Sequence, residues 1–411
     1  MLTRRRFLLA GGAAVAGVAA VGAGLDQALS SATPALPRVA LGVQPAGLPA
    51  RQHAWSATLA RDEYGNSVSP RHDRLLLFDA VGRPGAGHAR MLEASLRTLE
   101  RRFPWGPSGL LFTAGWSPAY FERALHTSSP IPWAKGLSDF ELPAIDDYHL
   151  CLHLACDDDG RLDAVEAALV HGVRLAGADG HLSLAGALAW RETRTGFTGA
   201  GLPYAYQDTG GIPAGRPVAR TAPLFMGFKS GLRKNQATED AVTIADGAYA
   251  GGTTEHVSYM RLRLDSWYGQ LTENERIARM YAPQMTPAQF RAITDEATGD
   301  PNLINQAINR YGVIGHSQTS ARARRNNQPL IIRRDFDTVD GGQAGLHFVA
   351  LQRTIDDFVT TRTAMNATAA QLQNPAITDT DNNGINEFIF VLRRANYLVP
   401  ARAQRSFPGV V

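Results

Sequence analysis

The sequence predicts an α+β fold with antiparallel sheets and peripheral helices, and three observations favour this class. Apolar runs and two-residue alternation, which are typical of strands, are interspersed with segments that have the 3.6-residue period of helices. In the first half their order is strand, helix, strand, strand, helix, strand. The second half repeats the pattern more loosely. A chain of 411 residues with 44% hydrophobic residues is long enough to bury the core of two such units.

The first half has the more regular pattern. Its predicted elements are a strand at 74–79, a helix at about 87–103, a strand at 109–115, a short helix at 117–125, a strand at 148–155, a helix at 162–172 and a strand at 182–190. In the helix at 87–103, apolar residues recur at Leu92, Leu96, Leu99 and Phe103, which lie on one face. This order is that of a ferredoxin-like unit, an antiparallel sheet with helices on one face.

The second half contains a looser version of the same unit. Its predicted elements are a strand at 255–264, helices at 265–282 and from 286, a turn-rich stretch at 297–327, strands at 330–334 and 345–352, and a helix at 354–369. The simplest architecture is therefore two ferredoxin-like halves. We expect a signal segment at 1–32, an N-terminal half at 33–205 and a C-terminal half at 206–411.

The first residues have the pattern of a twin-arginine signal. Arg4, Arg5 and Arg6 precede Phe7 and a run of Gly, Ala and Val, and small residues near Ala32 would suit a signal peptidase. The alternative is an uncleaved anchor, but a Gly- and Ala-dominated run is only weakly hydrophobic for a bilayer core. We therefore expect the twin-arginine machinery to export the chain to the periplasm, cell envelope or exterior. Such cargo crosses already folded, commonly with a cofactor in place.

Charge and cysteine content exclude several classes. The 41 Lys and Arg against 38 Asp and Glu leave a formal charge of only +3, which argues against a nucleic-acid partner. Two cysteines cannot form a disulfide framework or a four-cysteine zinc site. Cys151 and Cys156 lie on one predicted strand, about 16 Å apart, whereas a disulfide needs Cα atoms within about 7 Å. We expect two free core thiols.

Several short segments of the chain carry a recognisable motif order. The segment 224–231, LFMGFKSG, is similar to the Gly-x-x-Asp-Gly loop of the dye-decolorising peroxidase (DyP) family. Other segments follow in the family's order between about residues 70 and 400: GLLFTAGWSPAYFER at 109–123, GGTTEHVSYMRLRLDSW at 251–267, His316, LIIRRDF at 330–336 and GLHFVALQ at 345–352. Each segment is degenerate alone, and their joint order carries the resemblance.

The resemblance implies a duplicated ferredoxin-like, DyP-type barrel fold with one haem b in the second half. It also implies a peroxidase that reduces hydrogen peroxide while oxidising an unknown donor. His316 would bind the iron, since a neutral imidazole is a suitable axial ligand. The alternative for His316 is an exposed loop histidine. The other residues that the resemblance places at the cofactor are Gly227, Phe228, Lys229, Gly231, Arg322 and Phe348. Arg322 would pair with haem propionates, or lie in a solvated loop.

The catalytic residues implied by the resemblance are Arg333, Arg334 and Ser230. Arg333 and Arg334 are neighbours on a strand, so only one can face the haem, and the family's spacing favours Arg333. Its guanidinium would polarise bound peroxide. Ser230 stands where the family has Asp, and a serine hydroxyl is not a base near neutral pH. Because acid–base help contributes about 10²–10⁴-fold, we expect a weakened peroxidase.

Two rival functions remain on the same fold. One is a haem-binding or haem-delivery protein without efficient peroxide chemistry, and the other is a cofactor-free binding protein. His347 is also unusual, because the family has an aliphatic residue there. It could be a replacement base, a second iron ligand or a solvent-facing strand residue. A homo-oligomer is compatible with all of these.

Overall fold

A computed structural model describes most of the chain: residues 47–63, 65–180, 182–228, 232–286, 289 and 295–410. The signal at 1–32 and the loop residues Lys229, Ser230 and Gly231 lie outside the described residues. Within those ranges, no helix has the length and apolar character needed to cross a membrane.

Eight of the twelve strands among the described residues form a closed antiparallel barrel. The strands are β1 (His72–Ala80), β2 (Leu111–Trp116), β3 (Ala144–Ile145), β4 (Leu150–Cys156), β5 (Leu188–Phe197), β6 (Thr253–Leu262), β7 (Arg324–Arg325), β8 (Gln328–Pro329), β9 (Ile331–Arg333), β10 (Phe336–Thr338), β11 (Gly345–Gln352) and β12 (Ile389–Val399). The order around the barrel is β10-β5-β1-β4-β2-β12-β6-β11. Because β10 pairs with both β5 and β11, the sheet closes on itself. The predicted α+β class is confirmed, with the two halves joined in one sheet.

The two halves are joined at two places, by β10 with β5 and by β12 with β2, and β12 was not predicted from the sequence. This strand pairs with β6 along its whole length and reaches β2 through Leu398 and Trp116. A second difference is β5, which begins six residues later than the predicted strand at 182–190. Leu182 and Leu184 are buried, so their apolar character indicated burial and not strand.

The helices lie outside the barrel. They are α1 (Ala86–Arg102), α2 (Asp159–His171), α3 (Leu202–Ala205), α4 (Leu264–Gly269), α5 (Glu273–Met280), α6 (Asp295–Thr298), α7 (Pro301–Gln306), α8 (His316–Ser320), α9 (Ile355–Ala364) and α10 (Thr368–Gln373). The predicted helix at 265–282 is two helices, because Thr272 and Glu275 form a capping box that begins α5. The predicted turn-rich stretch at 297–327 is wrong in part, since it contains α7 and α8.

Alternate residues of each strand divide the core into an outer and an inner part. On β1, Leu76 and Phe78 pack in the same outer cluster as Leu96 of α1, whereas Leu75 and Leu77 face the barrel interior. The interior also contains ionisable groups, of which His153 Nε2 is 2.8 Å from Asp73 Oδ1. Both cysteines are buried free thiols, as predicted. The cavity described next lies on the outer face of the C-terminal strands.

Candidate functional site

A cavity of about 1150 Å³, including its opening to solvent, lies between the C-terminal strands and the helices outside them. Its strand-borne lining comes from β6, β9, β10, β11 and β12, and its helix-borne lining from α5, α8 and α9. Most of the lining is apolar, with Met260, Leu346 and Phe348 among the residues on the strands. The few polar side chains in the lining are therefore the candidates for chemistry.

The segment from β9 to β10 sends alternate side chains into this cavity. The two strands pair with successive parts of β11 in one continuous register, interrupted only at Arg334 and Asp335. Arg333, Asp335 and Asp337 consequently line the cavity. Arg333 also borders a second, more polar cavity beside Trp55. The strand alternation therefore places one guanidinium and two carboxyl groups on the same wall.

Arg334 faces away from this wall. Its Nη2 donates to the carbonyl oxygen of His53 at 2.6 Å, and its guanidinium carbon lies 3.6 Å from the centre of the Trp55 ring. It does not line the cavity that contains Arg333 and His316. This placement corrects the inclusion of Arg334 among the candidate catalytic residues, because adjacent strand residues point to opposite sides.

Asp335 and Asp337 are the acidic residues that sequence reasoning missed. Burial raises the pKa of Asp335, and the nearby Arg333 guanidinium opposes that rise. Burial also raises the pKa of Asp337 well above its ordinary value. Asp337 Oδ2 accepts the backbone N–H of Phe225 at 2.5 Å, so this carboxyl group anchors the loop at 224–228. Asp335 is thus the carboxyl group in the lining that is paired electrostatically with Arg333.

The loop at 224–228 is further held by two aromatic side chains of α4. Trp267 Nε1 donates to Met226 O at 2.9 Å, and the Tyr268 hydroxyl donates to Phe225 O at 2.6 Å. Gly227 has a φ of +87° there and does not line the cavity, whereas Phe228 does. The loop therefore reaches the cavity edge at Phe228, next to the undescribed residues Lys229, Ser230 and Gly231.

His316 is the first residue of α8 and lines the cavity. Its Nδ1 is buried and has no hydrogen-bond partner among the described residues. Burial, reinforced by Arg333 and Arg362, lowers the pKa of His316 to about 3. The imidazole is therefore neutral near pH 7, which is the form that can bind a metal ion. His316 is not an exposed loop residue.

Two close backbone contacts fix the position of His316. Gly315 packs against the backbone of Tyr281, and a Cβ added at Gly315 would lie 1.9 Å from Tyr281 O. On the other side of His316 lies Gly384, which has a φ of +53°. A Cβ added at Gly384 would lie 3.1 Å from His316 Cα. Gly384 N donates to Ile314 O at 2.8 Å. The turn that contains Gly384 thus holds the segment that carries His316.

The cavity also contains a buried arginine pair that sequence reasoning missed. Arg362 of α9 and Arg394 of β12 line the cavity and share the carboxylate of Glu141. Arg322, which was predicted to pair with propionates, is exposed and does not line the cavity. Its place at the end of α8 turns it to solvent. The arginines that line the cavity come from β9, α9 and β12 instead.

His347 faces the barrel interior. It is fully buried, its Nε2 lies 3.1 Å from Asp340 Oδ2, and its ring packs against Tyr259 and Phe336. Phe348, the next residue, lines the cavity as predicted for a cofactor contact. His347 is thus neither in the cavity lining nor on a solvent face. This position argues against all three predicted roles: a replacement base, a second iron ligand and a solvent-facing residue.

A model of a family of unknown function, DUF7405, matches residues 70–401. The chain belongs to DUF7405. No curated protein sequence matches this DUF7405 chain. The matched region contains every strand of the barrel and the whole described lining of the cavity.

Solved structures of DyP-type peroxidases are similar to this DUF7405 protein. The DyP-type peroxidase from Cellulomonas bogoriensis is 18% identical, with a TM-score of 0.56 over 92% of this chain and 99% of that chain. Ferric DtpA from Streptomyces lividans is 20% identical, with a TM-score of 0.56 over 91% and 100%. A variant of DypB from Rhodococcus jostii RHA1, in complex with heme, is 12% identical, with a TM-score of 0.50 over 87% and 98%. The fold of this DUF7405 protein is that of the DyP-type peroxidases.

Proposed function

We propose that this chain is an exported DyP-type haem peroxidase that reduces hydrogen peroxide while oxidising an unknown donor. The observation that carries the proposal is the cavity, in which a neutral histidine with an orphaned ring nitrogen shares the lining with Arg333 and Asp335. The DyP-type fold supports it. Export rests on the twin-arginine pattern at residues 4–6.

The residues of the cavity fit a haem b group. The lining is mainly apolar, as a porphyrin requires, and His316 supplies a neutral imidazole for the iron. Phe228 and Phe348 supply apolar contact surface, and the arginines supply partners for acidic substituents. A bound haem would supply the iron at which peroxide is reduced.

The side chains of the chain have separate roles in this proposal. Arg333, permanently protonated, would donate hydrogen bonds to peroxide and stabilise negative charge on its oxygens. The Asp335 carboxylate would accept a proton from one peroxide oxygen and return it to the oxygen that leaves as water. Asp335 is therefore proposed for the proton transfer that Ser230 cannot perform. The apolar wall with Leu346 and Phe348 would keep bulk water away from these groups.

A haem titration tests the proposal. We expect the wild-type chain to take up one equivalent of haemin and form a Soret band, and His316→Ala to lose or shift that band because the iron loses its imidazole. His171→Ala is the matched control, since His171 is exposed on α2 in the other half of the chain. No stoichiometric haemin uptake by folded wild-type protein would overturn the proposal.

A steady-state assay with hydrogen peroxide and an oxidisable dye then distinguishes a peroxidase from a haem-delivery protein. Turnover by the haem-loaded chain supports the peroxidase. Haem uptake without turnover would leave a haem-binding role. The presence of Asp335 beside Arg333 favours turnover.

A further inference from the structure

The strongest unexplained feature of the cavity is a buried cluster of Glu141, Arg362 and Arg394, called here the Glu141 cluster. Arg362 Nε and Nη2 donate to Glu141 Oε1 at 2.9 and 2.5 Å, and Arg394 Nη2 donates to Glu141 Oε2 at 2.8 Å. The exposed fractions of the two arginine side chains are 5% and 1%, and that of Glu141 is 1%. One carboxylate is therefore shared by two buried guanidinium groups.

The charges of the Glu141 cluster do not cancel. Two guanidinium groups and one carboxylate leave one positive charge, and the other partners of Arg362, Ser138 and Asn366, are neutral. Burial lowers the pKa of Arg394 to about 10, which is the response expected of a cation removed from water without full compensation. A buried charge that is only partly compensated destabilises the folded protein.

The uncompensated charge is localised on Arg394. All three nitrogens of Arg362 have acceptors, whereas Arg394 Nε and Nη1 have none among the described residues. Buried donors without acceptors are rare in folded proteins and point to a missing partner. Arg394 lines the same cavity as His316, so a ligand in that cavity can provide the acceptor.

We propose that Arg394, held in place by Glu141 and Arg362, binds a carboxylate group of the ligand that occupies the cavity. The inference rests on the proposed function, in which the ligand is a porphyrin, and it assigns one porphyrin propionate to Arg394. A carboxylate is the acceptor that suits a guanidinium group best, because it has the opposite charge and several lone pairs. It also cancels the single positive charge of the cluster.

Arg393 provides an internal comparison. It is adjacent to Arg394 on β12, but it is 43% exposed and pairs with Asp146 Oδ1 at 2.9 Å outside the cavity. Arg393 is therefore paired away from the cavity, whereas Arg394 keeps two donor nitrogens without acceptors among the described residues. Replacing either arginine by glutamine removes the same charge, and only one of the two replacements alters the cavity.

The test uses iron-free porphyrins, so that binding does not depend on His316 or on peroxide chemistry. Protoporphyrin IX and its dimethyl ester are titrated into the full chain, and binding is followed by porphyrin fluorescence. We expect the wild type to bind the diacid about 10- to 100-fold more tightly than the ester, the range for a charge-assisted hydrogen bond. Arg394→Gln should lose this preference, and Arg393→Gln should keep it.

Each outcome decides the inference. Equal affinity of the wild type for diacid and ester would overturn the carboxylate assignment while leaving the haem site intact. A preference that survives in Arg394→Gln would assign the carboxylate to another cation. If neither iron-free porphyrin binds to folded wild type, the inference fails, and the haemin titration decides the proposed function separately. The wild-type comparison of the two porphyrins does not depend on a variant folding, and circular dichroism verifies the folding of both variants.

Discussion

Asp335→Asn is expected to slow the reaction of the haem-loaded protein with hydrogen peroxide by about 10²–10⁴-fold, the usual contribution of a positioned acid–base group. Asparagine has nearly the same shape but cannot accept a proton. Asp335 lies two residues from Arg333 on the same cavity wall, and the Arg333 guanidinium stabilises its carboxylate. Haem uptake by Asp335→Asn should stay normal, because the change leaves His316 intact. Stopped-flow mixing with peroxide measures the rate directly.

The pH dependence of that rate gives a second readout. Proton acceptance needs the carboxylate form, which is lost as the pH falls through the pKa. Burial raises the pKa of Asp335, so we expect the acidic loss of rate to begin above the ordinary aspartate value of about 3.9. The Asp335→Asn variant should lose this acidic limb and keep only a low rate.

Ser230→Ala is the matched control for Asp335→Asn. If Asp335 transfers the proton, Ser230→Ala changes the peroxide rate by less than about threefold, because a serine hydroxyl is not a base near neutral pH. A large loss in Ser230→Ala together with a normal rate in Asp335→Asn would contradict the assignment.

Gly315→Ala is expected to lower the free energy of unfolding by about 3 kcal/mol or more and to abolish haem binding. The added methyl group would lie 1.9 Å from Tyr281 O and 2.4 Å from Tyr281 C. Both are backbone atoms, so the conflict can be relieved only by moving a chain segment. Because His316 is the next residue, that movement displaces the proposed iron ligand. Urea unfolding measures the stability, and the Soret band reports the site.

The control for this prediction is Gly269→Ala at the end of α4. An added Cβ at Gly269 has no neighbour within 4 Å, and the residue does not have a positive φ. We expect its free energy of unfolding to change by less than about 1 kcal/mol, since alanine is the better helix former. Equal stability of Gly315→Ala and Gly269→Ala would show that the Tyr281 contact is unimportant.

Local pattern predicted β1, β2 and β4 of the first half and β6, β9 and β11 of the cavity wall, but it placed β5 six residues too early. Alternation on a strand separates Arg333 from Arg334, and the same rule, continued for two residues, places Asp335 beside Arg333. The signal for Asp335 was therefore present in the sequence. Asp335 was not predicted because the Gly-x-x-Asp-Gly loop of the DyP family has its acidic residue at the position of Ser230.

The Glu141 cluster could not be predicted in this way. Glu141 and Arg394 are 253 residues apart, and Arg362 belongs to a helix that has little helical amphipathicity. Their contact depends on β12, whose mixed sequence IFVLRRANYLV lacks a clear two-residue alternation and contains a bulge between Val391 and Arg393. Contacts of this kind follow from the tertiary fold and not from spacing along the chain.

The position of β12 in the barrel has a consequence for biosynthesis. This strand joins the sheets of the two halves, yet a ribosome makes it after every other strand of the barrel. The emerging chain must therefore keep the unpaired edges of β2 and β6 from other partners until β12 arrives, and such edges promote aggregation. Ile389, Val391 and Arg394 of this strand also line the cavity. The wall of this cavity can thus be complete only after β12 has been synthesised.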